Sequence, residues 1–161
     1  MAINYDAVLA CLLFSFIAPT AYAKLTACTA ADLPQGPGIL PKWLLLVSAM
    51  AIFNTVQNFT TTKLTHRLYN RLPIVAPVQA RTFAVWTLMS AVVRFYTAYD
   101  IHNKTLYDMS LLSFLIVFGH FTSEIFVFRT AKLNGPVISP LIVGTTSLVW
   151  MITQYDFYVK A

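Results

Sequence analysis

The chain has 161 residues, of which 58% are hydrophobic and only 11% are charged, and its mean hydropathy is +0.67. A soluble domain normally carries about a quarter charged residues, because it needs them to cover its surface. A chain this short cannot bury so much apolar material in one water-facing core. We therefore expect lipid to be its solvent. The net charge of +5 does not indicate nucleic-acid binding, because the basic residues lie mostly between apolar runs and form no stripe with interleaved aromatics.

The first part of the chain contains a separate hydrophobic segment. Residues 7–23 (AVLACLLFSFIAPTAYA) are uncharged and end in a small-x-small pattern, which is typical of a signal-peptide cleavage site. The preceding MAINYD lacks the basic residue of a signal peptide, so we favour a retained segment and keep a cleaved signal as the alternative. Prolines and glycines indicate an irregular linker over residues 24–42. We divide the chain into residues 1–41, with this segment and the linker, and a membrane scaffold domain over residues 42–161.

Four long apolar segments follow the linker. Each has about 17 to 20 residues, enough for a helix to cross a hydrocarbon core of about 30 Å. A helix is the expected state, because backbone in lipid must satisfy its own hydrogen bonds. The sequence thus predicts an all-α membrane protein, a bundle of four transmembrane helices with an additional N-terminal hydrophobic segment. The four predicted spans are Trp43 to Phe59, Thr82 to Tyr99, Met109 to Phe128 and Val137 to Tyr155.

The charges between these segments suggest an orientation. Residues 60–81 and 129–136 lie on one side of the membrane if all four segments cross, and together they hold six lysines and arginines. The opposite side holds four basic residues: Lys24, Lys42, Lys104 and Lys160. Because the cytosolic loops of membrane proteins are enriched in Lys and Arg, we expect the two loops with six basic residues to face the cytosol.

The longer of these two loops contains an amphipathic pattern. In the run KLTHRLYNRL, leucines and basic residues each recur at every fourth position, so a helix there would carry an apolar stripe beside a basic one. Such a helix is suited to lie on an anionic leaflet. An ordinary solvated loop is the alternative. The residues concerned are Leu64, Leu68 and Leu72 in the apolar stripe, and Lys63, Arg67 and Arg71 in the basic stripe.

Two charged residues inside the predicted spans are candidates for structural roles, since an intramembrane charge needs a partner. Arg94 lies about 9 Å from the end of its helix, and Glu124 about 6 Å from the opposite membrane face, at 1.5 Å per residue. In a core of about 30 Å they are expected to stand on the order of 15 Å apart and not to pair. We predict instead that Arg94 reaches towards Asp100 or Asp108, and that Glu124 reaches towards Arg81.

His120 lies one helical turn before Glu124 and on the same face, a spacing that two metal ligands can have. A zinc site needs three or four ligands, and the other histidines, His66 and His102, are predicted at opposite faces of the membrane. A hydrogen-bonded core histidine is therefore the preferred interpretation. The sequence also contains no motif of a nucleotide, hydrolase or metalloprotease site. We expect no catalytic, cofactor-binding or metal-binding residue.

The third predicted span carries two packing patterns. Gly119 and Ser123 form a small-xxx-small pair, which permits close approach of another helix, either within the bundle or from a partner. A stripe suited to packing recurs at steps of four and three, and it consists of Phe114, Phe118, Phe121, Ile125 and Phe128.

Several short runs resemble the ergosterol biosynthetic protein 28 family, and the resemblance covers about residues 42–160. The runs are QARTF at 79–83, WTL at 86–88, DIHNKTLY at 100–107, GHF at 119–121 and SE at 123–124. Members of that family are endoplasmic-reticulum membrane proteins that tether sterol C-4 demethylation enzymes, so the resemblance implies a non-enzymatic scaffold without a cofactor. As structural or interaction candidates we take Arg81, Arg94, Asp100, His102, Asn103, Asp108, His120 and Glu124.

The partners implied by the resemblance are a sterol C-4 methyl oxidase, a sterol C-4 decarboxylase, a 3-keto sterol reductase and a sterol C-24 methyltransferase. Membrane lipid and a homo-oligomer are further expected contacts. A second hypothesis is a small four-helix membrane enzyme, such as a glutathione-dependent transferase. It would need several polar residues at one depth, whereas Arg94 and Glu124 are expected at opposite depths. A sterol carrier is a third hypothesis, weaker because the sequence has no pair of glycine-broken helices.

Overall fold

The computed structural model describes residues 33–159, and the predicted N-terminal hydrophobic segment lies outside this range. The regular structure within the range is helical throughout, which confirms the predicted all-α class for the described part of the chain. Four long helices correspond to the four predicted spans, and two short helices accompany them. The helices are α1 (Leu40–Thr60), α2 (Lys63–Leu68), α3 (Pro77–Tyr99), α4 (Lys104–Phe126), α5 (Gly135–Thr153) and α6 (Tyr155–Val159).

Local signals set the helix boundaries. Proline, whose fixed φ suits the first helical positions, occupies N1 or N2 of α1, α3 and α5. Asn103 caps α4 and Asn134 caps α5, because each side-chain oxygen accepts hydrogen bonds from backbone N–H groups of the first turn. Helix α4 ends at Phe126 instead of the predicted Phe128, since the N–H of Phe128 donates back to the carbonyl of Ser123 and reverses the chain.

Helices α1 and α3 form the most extensive contact of the bundle. The buried face of α3 presents alanines seven residues apart, at Ala84, Ala91 and Ala98, and this spacing keeps them on one side of the helix. Small residues let two backbones approach closely. The hydroxyl of Ser48 on α1 donates to the carbonyl of Ala91 at 2.8 Å, and that of Thr55 donates to the carbonyl of Ala84 at 3.3 Å. These bonds satisfy the hydroxyls inside the interface.

Helix α4 packs between α3 and α5, so the long helices follow one another around the bundle. The aromatic stripe predicted on α4 is divided between inside and outside. Phe114 and Phe121 are buried, whereas Phe118 and Phe128 lie at the surface. Because Phe114 and Phe121 are seven residues apart, they share one face of the helix, and the other rings of the stripe point away from the bundle.

Within the described residues, three helices are long and apolar enough to cross a membrane: α1, α4 and α5. Helix α3 is equally long, with 23 residues. Its arginines Arg81 and Arg94, together with several threonines and tyrosines, make it less apolar than the other three. The four-span arrangement therefore stays a prediction.

The bundle has two ends with different connections. We call the end that holds residues 33–39, residues 100–103 and α6 the linker end. The other end, with α2 and residues 69–76 and 127–134, is the loop end. Residues 33–39 form no helix or strand, which agrees with the irregular linker predicted there.

The amphipathic helix predicted in residues 62–72 is shorter than expected, because α2 ends at Leu68. Leu68 is only 4% exposed and packs with Tyr69, Phe121 and Val137, while Leu72 packs against the same cluster. Leu68 and Leu72 thus pack against the end of the bundle, and the prediction that the apolar stripe faces a leaflet is wrong for these two leucines. Periodicity showed that the leucines share one face, but it could not show what that face contacts.

Candidate functional site

His120 on α4 is the centre of a polar and aromatic cluster at the loop end. Its Nε2 shares a hydrogen bond of 2.7 Å with the hydroxyl of Tyr69, and its Nδ1 lies 4.0 Å from the carboxylate of Glu124. The rings of Trp86 and Tyr69 meet the imidazole edge to face, with centroid distances of 5.1 and 6.0 Å. His120 is therefore a hydrogen-bonded and packed histidine, as the sequence predicted.

The phenol of Tyr69 is a neutral, protonated partner in this hydrogen bond. Burial raises the pKa of Tyr69, and the nearby carboxylate of Glu124 raises it further. The hydroxyl therefore stays protonated at neutral pH and can donate to Nε2 of His120. In the tautomer that accepts this bond, the imidazole proton is on Nδ1, towards Glu124. A chain of this kind orients the imidazole, and its chemistry would also permit proton transfer along it.

Glu124 closes the chain reversal after α4. Its carboxylate accepts a hydrogen bond from the hydroxyl of Thr130, and its backbone carbonyl accepts one from the N–H of Thr130 at 3.0 Å. Arg81 lies exposed on α3 and takes part in neither of the ion pairs formed among residues 33–159. The prediction that Glu124 reaches towards Arg81 is wrong, because the reversed chain brings Thr130 to the carboxylate.

A second polar cluster lies at the linker end. Nζ of Lys104 is 2.6 Å from the carboxylate of Asp108, and the hydroxyl of Tyr155 donates to the same carboxylate at 2.8 Å. Lys104 also donates to the hydroxyl of Tyr155 at 3.0 Å. The side chains of Lys104 and Asp108 are 67% and 38% exposed, so water screens the ion pair and it contributes little to stability. Its role is to join the start of α4 to α6.

The remaining candidates of the DIHNKTLY run hold the α3–α4 connection. The amide of Asn103 donates to the carboxylate of Asp100 at 3.1 Å, and Nδ1 of His102 is 2.8 Å from the carbonyl oxygen of Tyr158. The hydroxyl of Tyr158 donates to the carbonyl of Pro37 at 2.9 Å. Burial raises the pKa of Tyr158, which keeps this donor protonated. The run thus ties α6 and the linker to the bundle.

Arg94 stands apart from both clusters. Its side chain is 5% exposed, Nε donates to the hydroxyl of Ser113 at 3.2 Å, and the guanidinium lies 4.0 Å from the ring centroid of Phe114. The prediction that it reaches Asp100 or Asp108 is wrong, since neither pairs with it. Asp100 and Asp108 lie more than a helical turn closer to the linker end, and each already accepts a hydrogen bond from another side chain.

Tertiary structure sorts the predicted candidates into separate groups. Arg94 and Glu124 do not pair, as predicted. In the part of the chain that the structure describes, no three His, Cys, Asp or Glu side chains lie close enough to hold a metal ion. The predicted candidates fall into three groups. The loop end contains His120 and Glu124, and the linker end contains Asp100, His102, Asn103 and Asp108. Arg81 and Arg94 lie elsewhere on the bundle.

Sequence analysis missed the tyrosines that organise both ends. Tyr69 and Tyr158 are buried, and Tyr155 joins an ion pair. One signal was present for Tyr155 and Tyr158, because tyrosine brings a large apolar ring with a polar tip and these two residues stand at the end of the fourth apolar segment. Tyr69 lies within the loop between the first two segments and carries no such signal. Their partners on other helices could not be read from local spacing.

The resemblance runs have a clear spatial arrangement. Residues 79–83, 86–88 and 119–121 meet around His120, where Gln79, Thr82 and Trp86 line a surface cavity. The run at residues 100–107 builds the linker end. The resemblance runs therefore form two groups in space, one around His120 and one at the linker end.

Comparison with known proteins identifies the family. The family model described as Erg28 like protein matches residues 40–149. Ergosterol biosynthetic protein 28 of Candida albicans is 48% identical over 124 residues, which covers 76% of this chain and 90% of the relative. The Saccharomyces cerevisiae protein of the same name is 40% identical over 135 residues, covering 83% and 90%. The human homolog is 47% identical over 116 residues, covering 71% and 83%. No solved structure matches. The family match and these identities together show that this chain belongs to the Erg28 family.

Proposed function

We propose that this chain is a non-enzymatic scaffold of the endoplasmic reticulum membrane that acts in ergosterol biosynthesis. It tethers the sterol C-4 methyl oxidase, the sterol C-4 decarboxylase and the 3-keto sterol reductase, and also binds the sterol C-24 methyltransferase. The observation that carries the proposal is the family match across α1 to α5, together with the name ergosterol biosynthetic protein 28 of its fungal relatives.

The outer face of α4 supports a tethering role. Leu112, Leu115 and Ile116 are large apolar side chains exposed on this helix. A Cβ atom added at Gly119 would meet no atom within 4 Å, so the glycine of the small-xxx-small pair is not used for packing inside the bundle. A transmembrane helix of a partner could approach closely at this glycine.

We also propose that all four long helices cross the membrane with the loop end in the cytosol. Helix α3 is packed against α1 and α4, and its 23 residues extend over about 35 Å at 1.5 Å per residue. The loop end together with the adjoining turns of α3 and α4 carries six lysines and arginines against Glu124. The described linker end together with the adjoining turns of α1 and α4 carries two lysines against three aspartates. Single cysteines at Lys132 and Lys104 should react with an impermeant maleimide from opposite sides. Labelling from one side would contradict this topology.

Co-purification tests the scaffold. The tagged chain, extracted in mild detergent from sterol-producing membranes, should bring down the four enzymes. Gly119→Leu adds bulk to the outer face of α4 and should reduce their recovery while unfolding stability is retained. Gly135→Leu is the matched control, because a Cβ at Gly135 also meets no atom within 4 Å but lies at the start of α5. Normal enzyme recovery with Gly119→Leu would remove this face as the binding surface.

The enzyme hypothesis has one favourable observation, the Tyr69–His120–Glu124 chain. The two hypotheses differ in what the purified protein does alone. A scaffold should not transform sterols, and cells that lack it should accumulate 4-methylated and 3-keto sterols while each enzyme stays active. Turnover of a sterol by the purified chain, lost in His120→Ala, would overturn the scaffold in favour of an enzyme.

A further inference from the structure

A cavity of about 370 Å³ lies between the four long helices. Helices α1 and α5 touch near the linker end, where Nε1 of Trp43 donates to the hydroxyl of Ser147 at 2.8 Å. The parts of α1 and α5 that line the cavity lie on the loop-end side of that contact, and apolar side chains such as Met50, Phe121 and Val143 form most of the cavity wall. Its volume falls within the range of about 300–1,000 Å³ of small-molecule sites.

One charged side chain interrupts this apolar wall. Arg94 lines the cavity, is 95% buried by its 5% exposure, and carries its charge at neutral pH. No carboxylate among residues 33–159 forms an ion pair with it. Its Nε donates to Ser113, but its Nη2 is buried and has no hydrogen-bond partner.

This arrangement is costly for an isolated bundle. A buried charge is unfavourable unless it is paired and hydrogen-bonded, and the contact with the ring of Phe114 satisfies no N–H group. A guanidinium presents a planar fork of donors that matches the two oxygens of a carboxylate. A ligand that brings a carboxylate to Arg94 and an apolar body to the rest of the cavity would therefore satisfy both parts of the site.

We propose that this cavity binds an amphiphilic carboxylate, with its carboxylate on Arg94 and its apolar body between α1 and α5. The site does not depend on the scaffold function. Two sources share this chemistry, a straight-chain fatty acid and a ring-bearing sterol carboxylate. A sterol carboxylate is the intermediate expected when a methyl group of a sterol is first oxidised to a carboxylate and that carboxylate is then lost as CO₂.

Photo-labelling of the full chain in lipid nanodiscs tests the proposal. The probe is palmitate with a diazirine in its chain, and the competitors are oleate, cholanate and the corresponding uncharged alcohols. We expect saturable labelling of peptides that line the cavity, with the carboxylates competing at least about tenfold better than the alcohols. This ratio corresponds to the roughly 1.5–3 kcal/mol of a hydrogen bond to a charged group. Labelling that does not saturate would overturn the proposal.

Variants separate the charge from the cavity. Arg94→Met should abolish the preference for carboxylates over alcohols, whereas Arg94→Lys should keep much of it. Ser139→Trp fills the cavity from α5 without changing Arg94, and it should reduce labelling by all probes. Ile142→Trp is its control, because Ile142 is exposed on α5 and does not line the cavity. An unchanged carboxylate preference in Arg94→Met, or unchanged labelling in Ser139→Trp, would overturn the proposal.

The competitors also identify the source of the ligand. Stronger competition by cholanate assigns the site to a ring-bearing carboxylate, and stronger competition by oleate assigns it to a straight-chain one. If neither competes at saturation, the palmitate labelling does not report a site that selects carboxylates, and the proposal fails. The enzyme co-purification experiment is independent of this result, so the two proposals can fail separately.

Discussion

The two ends of the bundle are stabilised in different ways. At the loop end, polar side chains bond to the backbone of a distant connection. The amide of Asn70 donates to the carbonyl of Lys132 at 3.0 Å, and the guanidinium of Arg71 donates to the carbonyl of Arg129 at 3.1 Å. These bonds join the connection after α2 to the connection after α4, although the residues are about 60 positions apart in the chain.

The linker end is stabilised mainly by buried aromatic rings. Tyr158 is 1% exposed and stacks on Tyr107 with a centroid distance of 6.1 Å, and the hydroxyl of Tyr107 donates to the carbonyl of Met151 at 2.7 Å. Leu40 belongs to the same buried cluster. The linker then passes over Tyr158, because the phenol hydroxyl donates to Pro37.

The comparison shows that the two ends of one apolar bundle can be stabilised by different interactions. The loop end keeps its basic side chains at the surface and is joined by hydrogen bonds to backbone, so its charges remain available to water or an anionic leaflet. The linker end has fewer basic residues and depends on aromatic burial. Substitutions at the linker end should therefore destabilise the protein mainly by removing the packing of buried rings. Substitutions at the helix caps should act through lost hydrogen bonds or through repulsion between charges.

The largest effect is expected from Tyr158→Ala. Removing a buried aromatic ring costs about 3–5 kcal/mol, and this change also frees the linker from the bundle. Thermal unfolding of the detergent-solubilised protein measures the loss. Phe157→Ala is the matched control, because Phe157 is adjacent in α6 but 55% exposed, and it should change stability much less. Equal losses would show that ring burial does not dominate the linker end.

Gly38→Ala should have an intermediate effect. Gly38 has φ +77°, and a Cβ there would lie 2.5 Å from the hydroxyl oxygen of Tyr158. The backbone strain and the clash should destabilise by more than about 1 kcal/mol. Gly135→Ala is the control, because it begins α5 in open space and should be neutral or slightly stabilising. Unfolding of both variants measures the contrast, and a neutral Gly38→Ala would mean that the linker does not pack on Tyr158.

The smallest effect compares the two capping asparagines. Aspartate keeps the acceptor that caps the helix, and both variants lose one amide donor, which bonds to Asp100 from Asn103 and to the carbonyl of Arg67 from Asn134. The charges differ, because a carboxylate at position 103 would stand beside that of Asp100, whereas position 134 lies in the basic loop end. We expect Asn103→Asp to be about 1 kcal/mol less stable than Asn134→Asp. The difference should shrink at high salt, because screening weakens the charge repulsion. A difference that salt does not change would exclude a charge effect.

The sequence by itself determined the helical class of the described residues and the positions of the four long helices. Apolar segments of membrane-spanning length are a local feature, so the four long helices could be predicted. The starts of α3 and α4 were predicted five residues too late, at Thr82 and Met109, because the first turns of these helices contain polar residues outside the apolar runs. The separation of Arg94 from Glu124 followed from helix length alone. The resemblance runs also identified the family, because they are short, specific stretches that need no knowledge of contacts.

Only the tertiary structure decided which partner each polar or apolar face takes. Leu68 packs inside the loop end, Glu124 takes Thr130 instead of Arg81, and Arg94 takes Ser113 instead of an aspartate. Each of these outcomes depends on how a chain reversal or a neighbouring helix is placed. A periodic pattern states which residues share a face, but the contacts of that face are set by packing across the whole bundle.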